Sequence, residues 1–156
     1  MKITIRKAMS EDIELLIALR LDYLREDNGR LCKSDENLIR SQLNSYFSRH
    51  IESYDFFAIL GEVDGEITGS AFLTVCEKPA NLAFMNGKTG TVLNVLTYPK
   101  FRRQGVATMV ISALIEEAKA MDVSQLDLYA TAQGKPLYEK FGFAPACCTA
   151  MRLKLV

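Results

Sequence analysis

The residues with the clearest chemical potential lie between positions 95 and 108, where a β-type run meets a basic loop and then an amphipathic helical pattern. The run ends at Pro99, and Arg102, Arg103 and Gly105 follow before the apolar helical positions begin. The first turn of a helix carries unpaired backbone N–H groups and the positive end of the helix dipole, which both suit a phosphate. Gly105 and Ala107 add little bulk, so a ligand can approach the backbone closely. The segment therefore predicts a site for an anionic, phosphate-bearing ligand.

The spacing Arg102-x-x-Gly105-x-Ala107 resembles the acyl-CoA loop of the GNAT superfamily of N-acyltransferases, whose usual form is Gln/Arg-x-x-Gly-x-Gly/Ala. The resemblance implies acetyl-CoA as co-substrate. It also implies that the pantetheine arm pairs with the edge of the preceding strand. The cofactor-binding residues implied are Val95, Leu96, Thr97, Arg102, Arg103, Gln104, Gly105, Val106, Ala107 and Thr108. The alternative is an ordinary strand-to-helix turn with exposed arginines.

A second block, residues 134–143, has Leu137 and Phe141 four positions apart, where they can pack on one face of a helix. It is similar to the late motif of the same family, in which a Tyr beside the CoA sulfur is followed by Gly-Phe. The matching residues are Tyr138, Gly142 and Phe143. The resemblance implies a catalytic Tyr138, because a phenol of pKa ~10 is a plausible acid towards a thiolate of pKa ~8.5. The alternative is a packing tyrosine with a hydrogen-bonded hydroxyl.

The general base is less clearly marked. Many family members carry a carboxylate on the strand before the loop, but residues 91–97 contain no Asp or Glu. Asn94 is a candidate catalytic residue that can orient a group by hydrogen bonds but cannot take a proton. The base would be a water chain or one of Asp22, Glu26 and Asp27, unless these three are solvated surface acids. We expect Glu26 and Asp27 near the mouth of the acceptor pocket, where they would favour a cationic amine.

Length and composition limit the class of protein. The 156 residues, 49% hydrophobic, predict a single domain over 1–156 with its own core. With 19 basic and 19 acidic residues the net charge is zero, which argues against general nucleic-acid binding. No run approaches the roughly 20 apolar residues of a membrane span, so we expect no membrane association.

The four cysteines form no Cys-x-x-Cys pair, and there is one histidine, His50, so we expect no metal. Reduced thiols are typical of the cytoplasm, where we expect the protein to reside.

The hydrophobic periodicity predicts helices interleaved with strands. The expected strands lie at 2–8, 56–63, 67–75, 89–97, 125–130 and 151–155, and an Asp64-Gly65 hairpin joins the second to the third. The expected helices run from a Ser10 N-cap to about Arg25, from near Ser34, over 105–121, and from Pro136 to Gly142. This order predicts an α/β (α+β) fold with one mixed sheet and helices on both faces. The family resemblance implies that the sheet splays open between the strands at 89–97 and 125–130.

The leading hypothesis is an acetyl-CoA-dependent N-acetyltransferase, in which a primary amine of a small molecule, peptide or protein attacks the thioester directly. An alternative of another class is an acyl-CoA-binding regulatory module with little or no catalysis, which the missing strand carboxylate motivates. A third alternative is a structural α/β domain. The family often forms dimers, and the apolar segment 144–156 could contribute to a homodimer.

Overall fold

A computed structural model describes residues 1–156. Its five-stranded sheet has the spatial order β1-β2-β3-β4-β5, with antiparallel pairs up to β4 and a parallel β4–β5 pair. The strands are β1 (Thr4–Lys7), β2 (Phe56–Val63), β3 (Glu66–Glu77), β4 (Lys88–Thr97) and β5 (Gln125–Asp127). The predicted hairpin is confirmed, with Asp64 and Gly65 both at positive φ (51° and 81°), as a tight turn between twisted strands prefers.

The helices are α1 (Ile13–Asn28), α2 (Lys33–His50), α3 (Val106–Ala120) and the short α4 (Lys135–Lys140), and the first three cover the two faces of this sheet. One core cluster joins α1 and α2 to the sheet through residues such as Leu16, Phe47 and Phe72. The other joins α3 to the opposite face through Val110 and Leu114. The mixed sheet with helices on both faces is thus confirmed. None of the helices combines the length and hydropathy needed to cross a membrane.

A β-bulge bends β4 in its middle. Phe72 lies opposite Leu93, but Ser70 lies opposite Leu96, so β4 has one more residue than β3 across this interval. Asn94, within the bulge, adopts a left-handed backbone with φ of 55°. A bulge of this kind increases the local twist and changes the direction of the side chains beyond it.

The bulge coincides with the place where the sheet opens. β4 pairs with β5 only between Thr89–Thr91 and Gln125–Asp127. The outer edge of β4 from 92 to 97 therefore has no strand beside it, which confirms the expected splayed sheet. An exposed edge of this kind presents backbone N–H and C=O groups to any extended ligand.

Three predicted features differ in the structure. The strand predicted at 125–130 ends at Asp127. Ser10 is not the N-cap of α1: it begins a 3-10 helix (Ser10–Asp12), and Asp12 accepts the Met9 N–H at 2.8 Å. The last strand at 151–155 is absent, and Met151, Leu153 and Leu155 are 92%, 81% and 84% exposed. Alternating side chains favour a strand only where a sheet edge supplies hydrogen-bond partners, and this segment does not reach one.

Candidate active site

The loop between β4 and α3 presents six consecutive backbone N–H groups, from residues 103–108, that donate to no acceptor in the chain. The first N–H of the helix to find a partner is that of Met109, which donates to the Gly105 carbonyl at 3.0 Å. Arg103 and Gly105 are both left-handed, with φ of 64° and 84°. Left-handed residues in a turn direct successive N–H groups towards a common concavity, which suits an anion.

Gly105 is required here by its backbone conformation. A Cβ at this position would meet no atom within 4 Å, so the space beside it is open. An L-residue at this φ would be strained by about 1–2 kcal/mol. The glycine thus starts a 15-residue helix whose N-terminal dipole faces an accessible space.

The predicted cofactor residue Arg102 and the predicted substrate residue Glu26 contact each other. The Arg102 guanidinium forms an ion pair with Glu26 and donates from Nε to the Thr97 carbonyl at 2.9 Å. The pair connects the end of α1 to the loop before α3. The charge of Glu26 is therefore compensated within the chain.

The other two acids of α1 differ in environment. Asp22 accepts a hydrogen bond from the Tyr98 hydroxyl at 2.7 Å and forms an ion pair with Arg25 at 2.9 Å. Burial, and then this hydrogen bond to Asp22, raises the pKa of Tyr98, so the phenol stays protonated. Asp27 is exposed and forms no ion pair. Of the three acids considered as bases, Asp27 alone has an uncommitted carboxylate.

Asn94 is buried, with 1% of its surface exposed, and its side-chain amide is directed towards α1. Its Nδ2 donates to the Leu19 carbonyl and to the Ser70 hydroxyl, both at 3.4 Å. Its Oδ1 accepts from Arg20 Nη1, also at 3.4 Å. Two of these long hydrogen bonds fasten the bulge of β4 to α1, and the third joins it to Ser70 of β3. Any catalytic contribution by Asn94 stays a prediction.

Tyr138 lies half-buried in α4, where its ring packs edge-to-face on Phe143 with the ring centroids 5.9 Å apart. Burial raises the pKa of Tyr138, and the nearby Tyr23 raises it further. A phenol in this state keeps its proton at neutral pH and can donate it. Tyr23 of α1 is thus within electrostatic range of Tyr138.

Arg20 and Tyr23 were not identified in the sequence. The Arg20 guanidinium lies over the Tyr23 ring, 5.6 Å from its centroid, and contacts Asn94. A signal was present, because Arg20 interrupts the apolar stripe that Leu16 and Leu24 share at helical spacing. An arginine in such a stripe indicates either a snorkelling surface residue or a charge kept for a ligand.

No group of three or more His, Cys, Asp or Glu side chains lies in a geometry that could hold a metal ion. His50 contacts Asp55 at 2.9 Å, at the end of α2, and all four cysteines are exposed and unpaired.

The fold agrees with the comparisons to known proteins. The model of the acetyltransferase (GNAT) family matches residues 17–143, and the chain belongs to this family. A predicted acetyltransferase from Clostridium acetobutylicum, solved with acetyl-CoA, is 28% identical with a TM-score of 0.86, over 99% of this chain and 97% of that chain.

More distant structures share the fold. A GCN5-related N-acetyltransferase from Ralstonia eutropha JMP134 is 22% identical, with a TM-score of 0.83 over 97% of this chain and 99% of that chain. A ribosomal-protein-alanine N-acetyltransferase from Brucella melitensis biovar Abortus 2308 is 20% identical, with a TM-score of 0.71 over 99% and 100% of the two chains. These two likenesses show the shared fold, and acyl transfer as the general chemistry rests on the family match.

Proposed function

We propose that this protein is an N-acetyltransferase that moves an acetyl group from acetyl-CoA to a primary amine of a small molecule, peptide or protein, within one domain over residues 1–156. One observation carries the proposal. The six unpaired N–H groups of residues 103–108 lie directly beyond a strand whose outer edge is free. The family of the chain and the acetyl-CoA held by the clostridial relative support it.

In this proposal the N–H groups of residues 103–108 bind the diphosphate of acetyl-CoA, aided by the dipole of α3. Arg102 and Arg103 add positive charge at the rim. The pantetheine arm lies along the free edge of β4 at Val95, Leu96 and Thr97, where backbone hydrogen bonds hold it in an extended form. This placement brings the thioester to the opening between β4 and β5.

The neutral amine attacks the thioester carbonyl, so an N–C bond forms and the C–S bond breaks. Backbone N–H groups near Leu96 stabilise the negative charge on the carbonyl oxygen. Tyr138 donates its proton to the departing sulfur and regains one from solvent. The proton of the amine leaves through water. Asn94 keeps the bulged segment in place, and Asp27 attracts the cationic form of the amine to the site.

A specific observation favours a second candidate, an acyl-CoA-binding module with little catalysis. β4 carries no carboxylate, and Asp22 and Glu26 are both committed to cations. The two functions share the cofactor site but differ in turnover.

The experiment that tests the proposal measures acetyl-CoA binding by calorimetry and thiol release with a broad panel of amines. Binding together with amine-dependent thiol release, lost in Gly105→Glu, supports the enzyme. Binding without release for any amine supports the module. The absence of binding at saturating acetyl-CoA would refute both.

A further inference from the structure

Arg20 is a half-buried cation without a carboxylate partner. No acidic oxygen lies within ion-pair distance of its guanidinium, although twelve ion pairs are formed elsewhere in the chain. Its one hydrogen bond is the 3.4 Å contact to the amide oxygen of Asn94, and one ring, that of Tyr23, lies beneath it. A guanidinium has five N–H donors, so most of its capacity is unused.

This arrangement is costly unless an anion completes it. Burial lowers the pKa of Arg20 because the guanidinium loses hydration. Tyr23, and then the charge of Asp27 from two helical turns away, oppose this lowering of the pKa. A neutral amide and an aromatic ring compensate a buried cation only in part, whereas a carboxylate can accept two parallel N–H bonds from it.

Arg20 also lies in the part of the molecule where the acceptor would react. It contacts Asn94 in the bulge of β4, beside the opening of the sheet. Tyr23, beneath it, is close enough to Tyr138 to affect the pKa of that phenol. Residue 97, where β4 ends before the phosphate loop, is three positions from Asn94, about 10 Å along the strand. Arg20 is therefore close to the proposed reaction centre and separate from the loop that would hold the diphosphate.

We infer that the acceptor carries a carboxylate on the same molecule as its reactive amine, and that Arg20 binds this carboxylate. The inference rests on the proposed function. It selects α-amino acids and related amino carboxylates from the broad class of amines. Asp27, on the same side of α1, would attract the ammonium group of such a zwitterion.

A carboxylate could also belong to the acyl donor, as in a dicarboxylic acyl-CoA. The acceptor is the better source because Arg20 belongs to α1, which also carries Asp27, and its contact on β4 is Asn94 and not residues 95–97, to which the donor is assigned. The rates with acetyl-CoA and with succinyl-CoA, each measured with the same amine that lacks a carboxylate, distinguish the two sources.

The test compares matched acceptors, each amino acid against the amine that lacks its carboxylate, for the native protein, Arg20→Gln and Arg20→Lys. We expect Arg20→Gln to lower kcat/KM for the amino acids about ten- to hundredfold, mainly through KM, and to leave the decarboxylated amines within about twofold. Arg20→Lys should recover part of the loss, because it keeps the charge without the planar fork. Arg49→Gln, which removes an exposed arginine of α2, is the matched control.

The melting temperature of each variant shows that it is folded, and its affinity for acetyl-CoA shows that it still binds the acetyl donor. If Arg20→Gln fails to fold, Arg20→Lys and competitive inhibition by a simple carboxylate, measured against the amine, decide the question. Equal kcat/KM for both members of every pair in the native protein would overturn the inference and leave the proposed function standing. An Arg20-dependent preference for succinyl-CoA would also overturn it, since it would place the carboxylate on the donor. A protein that does not bind acetyl-CoA would refute the proposed function itself.

Discussion

Glu26, near the end of α1, forms an ion pair with Arg102 in the loop before α3. The same guanidinium donates to the Thr97 carbonyl at 2.9 Å, so one side chain joins α1, β4 and the loop. Two residues expected to serve different ligands are thus partners of each other. Both side chains are partly exposed, at 49% and 42%, so the contact directs Arg102 more than it stabilises the fold.

Glu26→Gln should therefore alter cofactor binding and leave the acceptor unaffected. Release of Arg102 allows it to reach a phosphate, and we expect acetyl-CoA to bind up to about fivefold more tightly, the limit for an exposed pair of ~1 kcal/mol. Calorimetry gives the dissociation constant, and steady-state kinetics gives the KM of the amine. Asp27→Asn is the matched control, and it should raise the KM of a cationic amine without changing cofactor affinity. If Glu26→Gln instead raised the KM of the amine and left the affinity for acetyl-CoA unchanged, Glu26 would belong to the acceptor site.

Substitution of Gly105 separates backbone strain from charge. Gly105→Ala should destabilise the fold by about 1–2 kcal/mol because φ is positive, and Gly105→Glu should in addition weaken acetyl-CoA binding more than tenfold by placing a carboxylate beside the phosphates. Gly65→Ala, at φ of 81° with equally open space, carries the same strain far from the loop. Thermal unfolding and calorimetry measure the two effects. Equal cofactor affinities in Gly105→Ala and Gly105→Glu would argue against an anion site here.

Tyr138→Phe keeps the ring that packs on Phe143 and removes the proposed proton donor. We expect kcat to fall about tenfold or more with an unchanged affinity for acetyl-CoA. Tyr54→Phe, which changes an 86% exposed tyrosine, should have no effect.

The pH profile of the native protein provides a second check on Tyr138. Because the pKa of Tyr138 is raised, the phenol stays protonated beyond its ordinary value of 10.0. The rate should rise as the amine deprotonates and show no decline from Tyr138 below that pH. A decline below pH 10 that disappears in Tyr138→Phe would contradict the raised pKa, although it would still identify Tyr138 as the proton donor.

Asn94 should prove important for the geometry of the site through its backbone. Asn94→Gly loses the contacts to Leu19 and Ser70 but tolerates the positive φ, whereas Asn94→Ala loses the contacts and adds strain of about 1–2 kcal/mol. Urea unfolding should therefore rank the proteins native, Asn94→Gly, Asn94→Ala in decreasing stability. If Asn94→Ala were as stable as Asn94→Gly, the left-handed conformation would not be maintained by the bulge.

The stability of the fold should depend on pH through Asp12. Hydrogen bonds from Arg6, at 2.7 and 2.9 Å, hold the pKa of Asp12 below its ordinary value of 3.8. A lowered carboxyl pKa stabilises the folded state above pH 3.8, and this contribution is lost as pH falls through the folded value. Asp12→Asn should thus cost more free energy of unfolding at pH 7 than at pH 3. In an Arg6→Gln background that difference should shrink, and the part that remains is expected from the Met9 N–H bond to Asp12. An undiminished difference would show that Arg6 does not hold the pKa of Asp12 down.

Local chemistry in the sequence was sufficient for much of the fold. The strand 56–63 and the Asp64-Gly65 turn were predicted with the bounds that the structure shows, because strand-forming residue types and turn preference act over a few neighbouring residues. The loop before α3 was found for the same reason, since Arg102, Gly105 and Ala107 lie within six positions.

The tertiary structure alone decided which distant side chains meet. Glu26 and Arg102 are 76 positions apart, and Asn94 reaches Leu19 across 75, so no local pattern could pair them. The strand expected at 151–155 needed a sheet edge to pair with, and its own alternation could not supply one. The sequence predicted no role for Arg20, because its contacts with Asn94 and Tyr23 exist only in the packed structure. Short-range preferences reside in neighbouring residues, whereas the charges and hydrogen bonds of this site arise only when packing brings α1, β4 and the loop before α3 together.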